Sequence, residues 1–300
     1  MPRYNRALFL YNGNAGSDNL EQKLSKTLPI LAQEIKELTV VQTKSIDEAK
    51  EVCLEYGEVV ELVLILGGDG TLHACCNTLA ELDKRPVIGV LPGGTSNDFS
   101  RLLGMPQNLS QAASAIINGR EAPVDAGKVN GGYFLNFWGI GLVTETSLNI
   151  DENQKNRLGV LSYFISALKT MNQATPFNFR LELDGEVMED EAVMVLVLNG
   201  KFIGTRRIPI DSIDAGDGLL DIMIVKNSNL TMFKELLTAN QAWSDEDSFQ
   251  ELCHRRAERI TIEATPNQQS DMDGELKGET PTTIEVVPNH FTFLYANSEE

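Results

Sequence analysis

Residues 61–77, ELVLILGGDGTLHACCN, constrain the fold of this chain more than any other stretch. An apolar run at 62–66 passes straight into Gly67-Gly68-Asp69-Gly70-Thr71, and an apolar-periodic segment opens at Leu72. The run reads as a buried strand, and the segment after it as a helix. Strand, glycine turn and helix start together aim several backbone N–H groups and a helix N-terminus at one point, which suits a phosphate. Glycine lets the main chain approach an anion where a Cβ would block it. Asp69 is the odd member, because a carboxylate repels a phosphate unless a cation lies between them. On the phosphate reading it implies Mg2+ and nucleotide chemistry. The alternative is a βα turn in which glycine supplies a positive φ and Asp69 caps the helix.

The flanking sequence repeats this pattern. Residues 7–11 (ALFLY) read as a first strand ending in Asn12-Gly13-Asn14-Ala15-Gly16-Ser17. Asp18 and Glu21 form a capping box for a helix expected to reach Leu38, with Pro29 placed to kink or interrupt it. A second strand is expected at 38–42 with Thr43 at its end, then a helix capped by Ser45 and Glu48. Residues 86–91 (PVIGVL) form a fourth strand running into Pro92-Gly93-Gly94-Thr95-Ser96-Asn97-Asp98. Strand–helix alternation predicts an α/β domain with a mainly parallel, doubly wound sheet. Ligands of such sheets sit outside the carboxyl ends of the strands, so the loops at 12–16, 67–71 and 93–98 are expected to line one cleft. Read alone, Thr43 also suits an ordinary strand end, and Asn97 with Asp98 an N-cap.

After Pro123 the texture changes. Runs at 124–129, 133–138, 177–183, 192–199, 219–225, 259–263 and 283–287 read as strands, several joined by hairpin turns such as Asp184-Gly185 and the Asn-Gly-Gly at 130–132. Only 157–171 and 230–242 look helical, and the apolar stripe of 157–171 suits a helix packed on its own sheet. The expected division is an α/β domain over 1–123 and a mostly β domain over 124–290, with 291–300 returning to the first. The formal charge of −18, from 25 basic and 43 acidic residues, argues against a nucleic-acid grip and weakens any standing electrostatic hold on anionic lipid. Cys53, Cys75, Cys76 and Cys253 have no metal-ligand spacing, and reduced thiols in a cytoplasmic protein are expected. No apolar run is long enough to span a bilayer, so membrane contact is expected to be peripheral.

Carboxylates supply the remaining candidates. Asp273 and Glu275 flank Gly274, and a hydroxyl nucleophile needs a base of this kind. Asp184-Gly185-Glu186 repeats the tripeptide but sits between alternating strand segments, as a hairpin turn does. Asp214, Asp217 and the carbonyl of Leu219 have the spacing of a small oxygen cage for Mg2+, or of a solvated acidic turn. Asp125 either steadies that region or caps a strand. His73, His254 and His290 are too scattered for a metal triad.

The ordered set GGDGT at 67–71, GGTSND at 93–98, VDAG at 124–127, DGLLD at 217–221 and MDGE at 272–275 resembles the diacylglycerol kinase catalytic-domain family, and within it the bacterial soluble lipid kinases. The resemblance implies a nucleotide domain similar to those of NAD kinase and phosphofructokinase, a C-terminal β-sandwich, and an active site in the cleft between them. It implies transfer of the γ-phosphoryl of ATP to a lipid hydroxyl, with diacylglycerol the leading acceptor. It makes Glu275 the proton acceptor, with Asp273 and Asp69 beside it in the catalytic set. The nucleotide would be held by Asn12, Thr43, Gly67, Gly68, Asp69, Gly70, Thr71, Leu72, His73 and Thr95, and a loop-ordering Mg2+ by Asp214, Asp217 and Leu219. The partner is then a lipid at the membrane surface, and a homodimer is left open. The family's first loop usually reads Asn-Pro-x-x-Gly-Lys, so its phosphate-facing lysine is replaced here by Ser17. Arg206 or Arg207 could compensate. NAD kinase and a nucleotide-binding regulator without catalysis are the competing functions.

Overall fold

The computed structural model describes residues 2–13, 20–144, 174–208, 210–227, 230–231, 233 and 253–297. The chain divides into two compact units, Met1–Val124 with Asn289–Glu300, and Asp125–Pro288. The helix expected at 157–171, most of that at 230–242, and residues 14–19 of the first loop lie outside the described residues.

Unit 1 is an α/β layer structure. Its strands are β1 (Tyr4–Asn12), β2 (Ile35–Thr43), β3 (Leu62–Gly67) and β4 (Val87–Pro92), joined by the end of β18 (Thr282–Tyr295). They lie parallel in the order β2-β1-β3-β4-β18. Leu62 to Ile65 are fully buried, as a strand covered on both faces requires. Burying each such side chain contributes about 2 kcal/mol of gross transfer free energy. Between the strands run α1 (Leu20–Leu31), α2 (Ile46–Tyr56), α3 (Asp69–Leu79), α4 (Asp98–Leu102) and α5 (Leu109–Asn118). Ser45 caps α2 through the Glu48 N–H, and the Glu48 carboxylate returns to the Lys44 N–H.

The first helix is shorter than its sequence predicts. It ends at Leu31, two residues past Pro29, and residues expected to continue it open β2 instead. β2 is the exposed edge of the sheet, so its pattern lacks the apolar run that marks the central strands.

Unit 2 is a β-sandwich. One sheet has the order β14-β13-β10-β7-β16-β17, built from β7 (Phe137–Gly141), β10 (Met194–Leu198), β13 (Leu220–Val225), β14 (Cys253–Ala257), β16 (Gln269–Met272) and β17 (Glu275–Glu279). The other pairs the first part of β18 with β15 (Arg259–Thr265), then β8 (Phe177–Leu183) and β9 (Glu186–Ala192). β5 (Arg120–Val129) and β6 (Gly132–Phe134) add a hairpin. Trp138, Ile140, Val195, Val197 and Ile222 meet Phe179, Leu181, Ile260 and Ile262 in one buried cluster. Leu196, Leu198, Met223 and Val225 face a second cluster with Ile208, Ile213 and Phe233. Covered on both faces, β10 and β13 read as continuous apolar runs, whereas β8 alternates. The single strand expected at 133–138 is two, β6 and β7, because residues 135 and 136 form a loop between them. The runs at 283–287 and 291–295 are instead one long strand, β18.

Cys53, Cys75 and Cys76 are buried thiols outside any disulfide, and Cys253 is a half-buried thiol. A hydrogen bond with Cys53, together with burial, holds the Cys75 thiol well above its ordinary pKa. Because the thiolate is the reactive form, a chromogenic thiol reagent should titrate Cys253 promptly in the native protein and all four thiols only after unfolding. Prompt reaction of more than one thiol would contradict this packing.

Candidate active site

The parallel register of unit 1 sets four strand ends in a row. Asn12 pairs with Thr43, Tyr11 with Leu66, and Gly67 with Pro92. The chain leaves β1 toward β2 on one side, and β3 continues to β4 on the other, so β1 and β3 flank a topological switch point. Open α/β sheets bind their ligands there. The loops after β1, β3 and β4 therefore share one edge of unit 1.

The two glycine loops touch backbone to backbone. A Cβ on Gly94 would stand 2.5 Å from Gly68 Cα, and one on Gly93 would stand 3.0 Å from Gly67 N. No side chain fits between such chains, so Gly68, Gly93 and Gly94 follow from the close approach of the loops, whereas a Cβ on Gly67 would meet Thr71 of its own turn at 2.9 Å. Gly70 differs. An added Cβ there meets no atom within 4 Å, so the tip of the turn borders open space. α3 starts beside it with Gly68 at its N-cap and no side-chain cap. Its first-turn N–H groups are thus not served by an N-cap side chain, as a helix N-terminus that receives a phosphate requires.

Three side chains lace this edge. Asp69 Oδ1 accepts the Phe99 N–H at 3.1 Å, so the carboxylate caps α4, a neighbouring helix, through one oxygen. Asn97 occupies the N-cap of α4 in the left-handed region, φ 52°, but its side chain does not cap that helix. It accepts the Gly94 N–H and donates to the Gly94 carbonyl, both at 2.9 Å, which fixes the second glycine turn. Lys23, on α1, reaches the Gly93 carbonyl with Nζ at 3.5 Å. It brings a cation to the glycine loops that the Ser17 position does not offer, and no motif marks it.

The other expected nucleotide residues divide by exposure. Thr95 is exposed and Thr71 half-exposed. Thr43 is fully buried with its hydroxyl on the Tyr11 carbonyl at 3.3 Å. Leu72 and His73 are buried in α3, His73 with Asn77 3.4 Å from its ring nitrogen. Only the main chain of these three could meet a ligand. A groove of about 840 Å³ lined by Gly104, Ser110, Ser114, Asn118 and Asn297 lies beside α5 and has no charged lining residue.

In unit 2 the Asp-Gly-Glu at 273–275 is the tip of the β16–β17 hairpin. Asp273 has φ 52° and Gly274 φ 92°, a two-residue turn with both central residues at positive φ. Asp184 (φ 49°) and Gly185 (φ 95°) form the same turn between β8 and β9, so turn geometry does not separate the two copies of the tripeptide. Surroundings do. Asp184 is exposed and accepts the N–H groups of Glu258 and Arg259. Asp273 is buried and accepts three backbone N–H groups, from Leu135 at 2.8 Å and from Asn136 and Phe137 at 2.9 Å. Asp271, fully buried, accepts the Gly274 N–H at 2.7 Å. Of the three carboxylates at this tip, Glu275 alone is partly exposed. Asp273 thus orients the tip and the chain at 135–137, whereas Glu275 is partly exposed.

The acidic loop shows the contacts of a carboxylate turn. Asp214 accepts the Gly216 N–H at 3.1 Å, and Asp217 accepts the Leu219 N–H at 3.0 Å. The second oxygen of Asp217 is bound by the guanidinium of Arg256. Among the described residues no three His, Cys, Asp or Glu side chains gather as metal ligands. The Arg256 guanidinium thus neutralises Asp217, the central carboxylate of the expected cage. Asp125 steadies the loop through the Gly218 N–H at 2.7 Å. Arg207 pairs with Asp211 at 2.9 Å, so it engages its own loop.

Comparison with known proteins agrees with this architecture. The family described as "Diacylglycerol kinase catalytic domain" matches residues 6–129, and the "YegS C-terminal NAD kinase beta sandwich-like domain" matches 141–295. The chain is 31% identical over 300 residues to "Putative lipid kinase" proteins of Staphylococcus aureus strains JH9 and N315, covering 98% of each chain. Two crystal structures from Bacillus anthracis str. Sterne, one described as "a putative diacylglycerol kinase" and the other as "a diacylglycerol kinases", superpose at TM-scores of 0.90 and 0.89 with 40% identity. They cover 99% of this chain, which covers 97% and 99% of theirs. The chain belongs to the lipid kinase family that carries the diacylglycerol kinase catalytic domain.

Proposed function

We propose that the protein transfers the γ-phosphoryl group of ATP to a lipid hydroxyl, with diacylglycerol as acceptor and phosphatidic acid as product. The observation that carries this reading is the edge of unit 1 where two abutting glycine turns lie beside the N-terminus of α3. Phosphoryl transfer needs positioning and charge neutralisation more than covalent help. The α3 first turn and Thr95 hold the triphosphate, and Lys23 faces its charge. Asp69 is the residue that would hold a magnesium ion bound with the nucleotide, and such an ion would supply neutralisation of phosphate charge. The acceptor oxygen attacks the γ-phosphorus, the bond from that phosphorus to the bridging oxygen breaks, and ADP leaves. Glu275 takes the hydroxyl proton. Asp273 positions the turn that carries Glu275. Among the described residues no helix is long and apolar enough to cross a membrane; a lipid acceptor is then met at the membrane surface.

Lys23→Met is expected to weaken binding of a non-hydrolysable ATP analogue about tenfold, the effect of losing one charge-assisted contact. Lys23→Arg should retain most of it, as calorimetry would show. Equal affinity in Lys23→Met and wild type would remove Lys23 from the site. The function itself is tested with γ-labelled ATP and diacylglycerol, a sphingoid base, phosphatidylglycerol or NAD as acceptors. Label in diacylglycerol is expected. Label in NAD alone would replace the lipid reading, and nucleotide binding without transfer would identify a regulator.

A further inference from the structure

We infer that Arg256 takes the place of a divalent metal in the acidic loop at 211–219, so that this loop folds without an ion. The strand register sets the arrangement. Asp221 on β13 stands directly opposite Arg256 on β14, and Met223 stands opposite His254. The Arg256 guanidinium bridges two carboxylates, Asp217 in the loop and Asp221 in the strand, the latter from Nε at 3.5 Å. Asp221 is almost fully buried and also receives His254 Nε2 at 2.7 Å and Ser212 Oγ at 3.3 Å. A fixed cation thus links the acidic loop to the sheet, as a metal ion bound by Asp217 would.

The rest of the loop is satisfied by its own chain. Asp214 and Asp217 each accept an N–H two residues ahead. Asp125 closes the loop from outside, its N–H on the Ala215 carbonyl at 2.6 Å and its carboxylate on the Gly218 N–H. Gly218, at φ 78°, supplies the left-handed residue the turn needs. A divalent ion binding Asp217 would have to displace the guanidinium from that carboxylate and leave Arg256 with the buried Asp221 alone. The chemistry of the loop therefore selects against a second metal. Any magnesium requirement of the protein belongs to its nucleotide.

Thermal unfolding of the full chain without nucleotide tests this independently of the kinase reading, since it needs no substrate. Wild-type Tm is expected to stay unchanged with chelator and with millimolar Mg2+ or Ca2+. Arg256→Gln should lower Tm by about 5 °C, and millimolar Mg2+ or Ca2+ should recover part of that loss by binding the freed carboxylates. A wild-type Tm that falls on chelation, or one divalent ion per chain retained after gel filtration in metal-free buffer, would overturn the inference. If Arg256→Gln does not fold, the wild-type titration and metal analysis decide alone.

Discussion

Glu275→Gln is expected to lower phosphoryl transfer to the lipid by about 10²- to 10⁴-fold, the range of a positioned general base, while affinity for ATP stays within twofold of wild type, about 0.4 kcal/mol. The substitution keeps size and shape and removes the acceptor for a proton. Glu275 is the first residue of β17, opposite Met272, so its backbone position is fixed by the hairpin and should not move. Its side chain is partly exposed where its two neighbouring carboxylates are buried. The comparison that matters is the split between turnover and nucleotide binding. A variant that transfers normally would show that another group takes the proton, and one that loses both turnover and ATP binding would indicate a folding defect.

The second large effect is structural. Asp273→Ala should destabilise unit 2 by about 3–5 kcal/mol, because it strands three backbone N–H donors in a buried site, each costing about 1–3 kcal/mol before relaxation. Asp273→Asn should cost less, since its remaining carbonyl oxygen still accepts, but its NH2 group confronts a main-chain donor. Asp184→Ala is the control: the same tripeptide and the same turn, with an exposed carboxylate accepting two N–H groups. Its cost should stay near 1 kcal/mol. Denaturant unfolding of the three variants separates the cases, and an Asp273→Ala stability equal to wild type would contradict the assignment of Asp273 as the residue that orients the tip.

The central strands were legible because burial on both faces leaves a continuous apolar run, as in β3, β10 and β13. The strands β2, β9, β14 and β17, whose bounds the sequence pattern does not mark, are all sheet edges, whereas β16, also unmarked, lies inside its sheet. Edge strands carry charges that discourage further pairing, Glu-Val-Met-Glu-Asp-Glu-Ala in β9 and Cys-His-Arg-Arg-Ala in β14, and those charges erase the alternation that marks a strand. The glycine motifs were visible, but half of their reason was not. Gly68 and Gly94 are small because the two loops press on each other, a contact between segments 26 residues apart in the sequence. Asp69 likewise suggested a metal, and one of its oxygens caps α4. Arg256 lies far along the chain from Asp217, so nothing in the spacing of the acidic loop could reveal the guanidinium that closes it. Lys23 sits one turn into α1, where a lysine on a helix looks like ordinary surface charge.

The most direct measurement is a single turnover, with the protein in excess over γ-labelled ATP and diacylglycerol presented in mixed micelles with Mg2+. The label is expected to pass into the organic phase as phosphatidic acid in proportion to the ATP supplied, and to remain in ATP when Glu275→Gln replaces the wild type. Label recovered as inorganic phosphate, or left in ATP by the wild-type protein, would contradict the proposed transfer to diacylglycerol.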